Sequence, residues 1–298
     1  MQRFKPYVLP VAIILGLLFH DYCSLLKFLV PYLIFLILFF AFCAVDLKKL
    51  RPSTLDLWLM AFQVIVSTGI YCLLRFLGAD TIIAEGVLIG VLCPVAASVS
   101  VISCMLGANR ETVTTYTILG NLMVTLVAPV VFTCIGVHPE LSFLTSFLLI
   151  IGRIAPMLAA PLLVVLVLQK CCPKCSQRIA KLKDLGFWAW SLALLLTLGQ
   201  TIDYIFLHGK DNWDSILWLG LLSLLFCALQ FGLGKLIGHH YGDSISGGQL
   251  LGQKNTAMGI WMSNTFLHPL ASVFMAFYSI YQNLFNSWQI WHHSRDKR

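Results

Sequence analysis

Between Gly247 and Pro269 the chain reads Gly-Gly-Gln-Leu-Leu-Gly-Gln-Lys-Asn-Thr-Ala-Met-Gly-Ile-Trp-Met-Ser-Asn-Thr-Phe-Leu-His-Pro. The stretch is long enough to cross a bilayer, yet Gln253, Lys254, Asn255 and Thr256 stand in a row at its middle, flanked by Gly252 and Gly259. No lipid-facing helix carries such a sequence, because hydrocarbon offers these groups no hydrogen-bond partners. Glycines beside consecutive polar side chains predict a helix that unwinds at membrane depth, where freed backbone groups and amides line a cavity. The stretch reads as a binding site.

Lys254 is its sharpest feature. A charged lysine near the bilayer centre costs roughly 2.5 to 3.5 kcal/mol on insertion scales, so it faces a cavity, pairs with something, or gives up its proton. Glu85, Glu111, Asp203 and Asp243 all fall near span ends. That leaves amides, carbonyls or a substrate anion as partners, or a titrating amine. The plainer alternative is a lysine that snorkels to an interface or is held in a static packing role. Arg153, beside Gly152 and ahead of Pro156, poses the same question: near a substrate cavity, or reaching for a headgroup.

A second polar surface lies at Thr117, Asn121 and Thr125, spaced i, i+4, i+8 on one helical stripe, with Thr114 a turn earlier. A threonine in a membrane helix bonds its own backbone, so Asn121 is the informative member. Asn121 and Asn255 are expected to bond freed backbone groups of the opposite broken helix. Gln63, Gln200, Ser263 and Asn264 are further candidates, each of which alone reads as helix-packing glue as readily as ligand.

These residues need a membrane-spanning scaffold, and composition supplies one. The 298 residues are 59% hydrophobic and 11% charged, against about 25% charged in an ordinary soluble domain. With mean hydropathy +0.85, the chain is a polytopic membrane protein rather than a soluble one. Apolar spans fall near 4–20, 25–46, 55–77, 82–106, 112–136, 142–169, 185–206, 214–237, 247–268 and 270–291. The first is short and contains Pro10; without a small-residue cleavage pattern before Asp21 it reads as a span, not a cleaved leader. With the N-terminus inside, fifteen of the 20 basic residues fall in inner segments, three in outer ones, and Arg153 and Lys254 within spans. Both termini are therefore expected in the cytoplasm. The net charge of +7 reflects this bias rather than a nucleic-acid surface.

Ten spans divide into five and five inserted in opposite senses, an inverted repeat of residues 1–138 and 139–298. The fourth span of each half is the one broken by small and polar residues. In the first half the break is Cys93-Pro94-Val95-Ala96-Ala97-Ser98-Val99-Ser100; in the second it is Gly252 to Thr256. Corresponding interrupted spans point to a transporter's site. The bland reading is a Pro94 kink with small residues for close helix contact.

Cys93-Pro94 followed by small and hydroxyl residues, Ala61-Phe62-Gln63 in the third span and Gly252-Gln253-Lys254-Asn255-Thr256 in the ninth together resemble the bile acid:sodium symporter family, over nearly the whole chain. The resemblance implies a panel subdomain and a core subdomain, each drawing on both repeats, with spans four and nine crossing at their unwound centres. It also implies import of organic anions driven by sodium, and kinship with arsenite efflux carriers and, more distantly, auxin carriers and sodium/proton antiporters. Carried over, a first sodium site takes Ser98, Ser100, Thr117 and Asn121, with an acidic residue just before the ninth-span break. Here Gly248, Gln249 and Leu250 stand in its place. A second site takes Gln63 and a glutamine where this chain has Lys254. Losing a carboxylate and gaining an ammonium moves the local charge two units against a cation, which leaves sodium coupling open.

Six cysteines, Cys43, Cys72, Cys93, Cys104, Cys134 and Cys227, lie within spans as small apolar fillers, and Cys23 stands in a short outer turn. Cys171-Cys172-Pro173-Lys174-Cys175 lacks a second ligand pair, so neither zinc nor a disulfide framework is expected of it. No nucleotide-binding loop, zinc-protease helix or paired catalytic carboxylates stand in the spans, so no enzyme and no cofactor is expected. The sequence thus predicts an all-α transporter in the plasma (inner) membrane, moving a small organic anion by alternating access. Its site residues are Gln63, Ser98, Ser100, Thr117, Asn121, Gln253, Lys254, Asn255, Thr256 and Asn264. Two alternatives stand: a proton-coupled carrier or exchanger in which Lys254 titrates, and a membrane sensor or channel that no longer performs transport.

Overall fold

The computed structural model describes residues 8–43, 51–96, 99–136 and 140–296. They form fourteen α-helices, and among the described residues there is no β-strand. In chain order these are α1 (Val8–Leu18), α2 (His20–Leu25), α3 (Val30–Cys43), α4 (Thr54–Phe76), α5 (Thr81–Leu92), α6 (Val99–Leu106) and α7 (Arg110–Cys134). They continue with α8 (Phe143–Cys171), α9 (Pro173–Ala180), α10 (Lys183–His208), α11 (Trp213–His240), α12 (Ser244–Gly252), α13 (Thr256–Phe266) and α14 (Ser272–Asp296).

Local chemistry sets several of the starts. Ser53 and Asp56 form a reciprocal capping box ahead of α4, with Ser53 Oγ accepting from Asp56 N and Asp56 Oδ2 accepting from Ser53 N. Asn109 Oδ1 accepts from Glu111 N at 2.9 Å to open α7, and Asp80 and Asp243 do the same for α5 and α12. Gly242, at φ 71°, supplies the left-handed residue in the tight turn from α11 to α12.

The distribution of polarity is inverted relative to a water-soluble domain. Leu57, Trp58, Ile65, Leu148, Leu163, Leu217, Trp218, Leu221 and Trp288 are exposed, while Gln63, Asn121, Gln230, Gln249, Lys254 and Gln282 are buried. Lipid is the solvent that rewards this arrangement, because hydrocarbon accepts apolar side chains and offers polar ones nothing. Among the described residues five helices, Thr54–Phe76, Arg110–Cys134, Phe143–Cys171, Leu185–Leu207 and Trp213–His240, are long and apolar enough to cross a membrane. The chain is a membrane protein, and its described residues are almost entirely helical.

Packing sorts the helices into two groups. In one, α10 packs on α1, α2 and α3, and α3 packs on α8. In the other, α4, α5, α7, α11 and α14 surround the short helices α6, α12 and α13. The groups meet where α7 packs on α8 and where α10 packs on α13. The tightest approach lies inside the second group, where α11 and α12 touch backbone to backbone. A Cβ on Gly234 would run into the carbonyl of Gly247, and one on Gly247 into the carbonyl of Gly234.

Cys23 differs from the expected lone turn cysteine. It is buried in α2, against Gly199 of α10, where a Cβ would collide with its side chain. The cysteines Cys171, Cys172 and Cys175 are free and exposed, at the junction of α8 and α9.

Candidate functional site

The helix ends at both predicted breaks. α5 ends at Leu92 and α6 begins at Val99; α12 ends at Gly252 and α13 begins at Thr256. A helix that ends inside the protein leaves its last carbonyls without intrahelical donors, and burial makes each such orphan costly. The sequence predicts the breaks, but the partners of the freed groups come from the tertiary fold.

Val95 and Lys254 form an isolated antiparallel bridge. Asn255 N donates to Pro94 O at 2.9 Å, and Ala96 N donates to Gln253 O at 3.1 Å. The two breaks are thus hydrogen-bonded to each other through their backbones. α5 packs on α13 and α12 on α6, so each half-helix lies beside the opposite half of the other span.

The carbonyls at the end of α5 are then closed one by one. Gly90 O accepts from Gln230 Nε2 at 3.3 Å, and Val91 O from Lys254 Nζ at 2.8 Å. Leu92 O and Cys93 O both accept from Gln63 Nε2, at 2.7 and 2.9 Å. Tyr116 OH in turn donates to Gln63 Oε1 at 2.8 Å, which fixes the amide. At the other break Gly252 O accepts from Tyr278 OH at 2.8 Å. The Gln282 amide clamps the Lys254 backbone from both sides, accepting from its N–H at 2.8 Å and donating to its carbonyl at 3.2 Å. Cys93 Sγ donates to Asn255 O.

Lys254 is 1% exposed, so it does not snorkel. Among the described residues no carboxylate comes within salt-bridge distance of it. Its amine head sits on the C-terminal end of α5, where the helix dipole and the end carbonyls carry partial negative charge.

The remaining predicted residues divide. Gln63, Gln253, Lys254, Asn255 and Thr256 are buried together around the two breaks, Thr256 Oγ1 donating to Ser279 Oγ at 3.2 Å. Asn255 does not hold the opposite helix with its side chain: its Oδ1 caps α13 by accepting from Met258 N, and only its backbone reaches across. Asn121 also departs from expectation. Its Nδ2 donates to Thr117 O of its own helix at 2.6 Å, and its Oδ1 is buried without a hydrogen-bond donor. Thr117 and Thr125 likewise bond their own backbone, to Val113 O and Asn121 O. Asn264 lies further along α13, half-buried. Ser98 lies outside the described residues, and Ser100 stands near the start of α6. Arg153 is exposed on α8.

The sodium sites implied by the resemblance fit this geometry poorly. The carbonyls at the end of α5 already accept from Lys254 and Gln63, and an ammonium stands beside them. Asn121 Oδ1 and the Thr117 hydroxyl are neutral oxygens, and neutral oxygens alone offset little of a cation's desolvation.

Sequence reasoning missed Tyr116, Gln230, Tyr278, Ser279 and Gln282, all buried and all bonded into this centre. The last three come from α14, whose Ser279, Gln282, Asn286 and Gln289 recur every three or four residues. That spacing is a helical stripe and was legible. The chain matches no protein-family model, and a search of curated proteins returns no relative.

Proposed function

We propose that this chain is a secondary transporter of the bile acid:sodium symporter type, moving a small organic anion across the plasma membrane by alternating access. In this reading the ten spans form a five-plus-five inverted repeat with both termini cytoplasmic. Helices α1, α3, α8 and α10 make the panel, and the second helix group makes the core. The observation that carries the reading is the mutual pairing of the breaks: Asn255 N on Pro94 O, Ala96 N on Gln253 O, and Lys254 Nζ on Val91 O. Broken helices closed on one another in a buried polar centre serve a cavity that must be polar at membrane depth. A helix kinked only for packing needs no such centre.

The Lys254 ammonium supplies the positive charge at the crossing and favours an anionic substrate. It also favours transport without sodium. Proteoliposome uptake of a panel of organic anions, with sodium and proton gradients imposed separately, tests both points. Anion uptake indifferent to sodium is the expected result; no uptake of any anion under either gradient, with ion conduction in its place, marks the chain as a channel. A second reading, a proton-coupled exchanger in which Lys254 titrates, is favoured by the lack of a carboxylate partner for Lys254 among the described residues. Accumulation that follows the proton gradient alone selects it.

A further inference from the structure

At the junction of α2 and α10, outside the residues of the crossing, three potential metal ligands converge. His20 Nδ1 lies 2.9 Å from Asp203 Oδ1 and 3.2 Å from Asp21 Oδ1, and one ligand atom from each of the three residues lies within 4.8 Å of the others. His20 and Asp203 are 183 residues apart, so the cluster is made by the fold. Among the described residues no lysine or arginine comes within salt-bridge distance of either carboxylate.

We propose that His20, Asp21 and Asp203 form a binding site for a divalent transition-metal ion of the zinc class. A single ring nitrogen carries at most one proton, and that proton can align well with only one acceptor, yet two carboxylate oxygens crowd Nδ1. A tetrahedral ion with ligands at about 2.0 to 2.2 Å sets neighbouring ligand atoms roughly 3.3 to 3.6 Å apart, so His20 Nδ1 and its two carboxylate neighbours, at 2.9 and 3.2 Å, need open only by a few tenths of an ångström to admit one. One imidazole and two carboxylates are a donor set that suits zinc, with a fourth position for water. The supporting contacts point the same way. Ser24 Oγ donates to Asp203 Oδ2 at 2.6 Å, which leaves Oδ1 turned to the cluster, as outer partners of a ligating carboxylate do. The His20 ring lies against Phe206, with centroids 5.0 Å apart, and its Nδ1 faces the carboxylates.

An ion here would pin α2 to α10. The next residue after Asp203, Tyr204, meets His268 edge-on at 6.2 Å, and His268 N donates to Glu85 Oε2 at 2.7 Å. Metal binding would therefore stiffen the seam between the two helix groups. This inference does not depend on the transport reading.

The test is thermal melting of the full-length protein in detergent, with Cys171, Cys172 and Cys175 changed to Ser so that the exposed thiols do not compete. Zinc is expected to raise the melting temperature where magnesium at equal concentration does not. His20→Gln and the surface variant Asp21→Asn should each weaken the zinc response roughly tenfold or more. Cobalt(II) should give the visible absorption of a four-coordinate N/O site, lost in the same variants. No zinc shift in the parent protein, or an equal shift in both variants, overturns the proposal. So does stabilisation that appears on acidification and not with zinc, which would mark His20 as a protonated bridge between the two carboxylates.

Discussion

The Lys254 ammonium donates to the carbonyl of Val91 at 2.8 Å, so a side chain from the break in one helix closes the last turn of the other. The contact is fully buried, and it joins positions 163 residues apart. Removing the ammonium leaves the Val91 carbonyl stranded.

Lys254→Met is therefore expected to lower stability by about 1 to 3 kcal/mol, the cost of an unpaired buried acceptor. Chemical denaturation of the detergent-solubilised protein reads the difference. Lys254→Gln separates structure from coupling: if the lysine couples transport to protons, this variant loses pH-driven accumulation and keeps equilibrating exchange. An unchanged midpoint and an unchanged pH response in both variants would show that Lys254 is incidental.

Gln63 serves two carbonyls and one hydroxyl. Gln63→Leu strands Leu92 O, Cys93 O and the Tyr116 hydroxyl at once, whereas Tyr116→Phe strands only Gln63 Oε1. The leucine variant should be the more destabilised by at least about 1 kcal/mol, and the double variant should cost less than the sum of the two. Additive losses would mean that the two side chains act independently.

Asn255 and Asn121 should not behave alike. Asn255→Ala removes the N-cap of α13, at about 1 kcal/mol. Asn121→Leu removes one bond within α7 and an acceptor that already lacks a donor, so stability should change by less than about 1 kcal/mol. In the transport reading Asn121→Leu nevertheless abolishes uptake, since it removes the one Asn121 oxygen that no protein donor occupies. Wild-type uptake by that variant would make Asn121 a packing residue.

Gly247→Ala is expected to prevent stable folding, because the new methyl meets the carbonyl of Gly234 and the backbone of Gly238, neither of which can rotate away. Gly232→Ala, on the same helix as Gly234 with open space at its Cβ, is the control and should leave expression and melting unchanged. Equal yields of the two variants would disprove the close α11–α12 packing.

Sodium and potassium chloride at equal ionic strength should give the same melting temperature. The carbonyls at the end of α5 are taken by N–H donors, and Lys254 repels a second cation. Selective stabilisation by sodium would reverse this.

Much of the architecture was written locally. Composition alone made the chain a membrane protein, and Gly252 to Thr256 and Cys93 to Ala96 mark the helix breaks, the first because consecutive polar residues find no partners in lipid, the second because Pro94 removes a donor; a proline alone does not break a helix here, since Pro129, Pro156 and Pro161 lie within α7 and α8. The stripe Ser279, Gln282, Asn286, Gln289 was equally readable from its spacing. What Lys254 binds was not, since its partner is a backbone carbonyl, a group every residue carries and no sequence distinguishes. Only the tertiary structure set Gln63 on Leu92 and Cys93, turned Asn121 to its own helix, and left Arg153 exposed on α8. The same holds for His20 and Asp203. Each is an ordinary polar residue near a helix end, and the packing of α2 against α10 brings them within 2.9 Å.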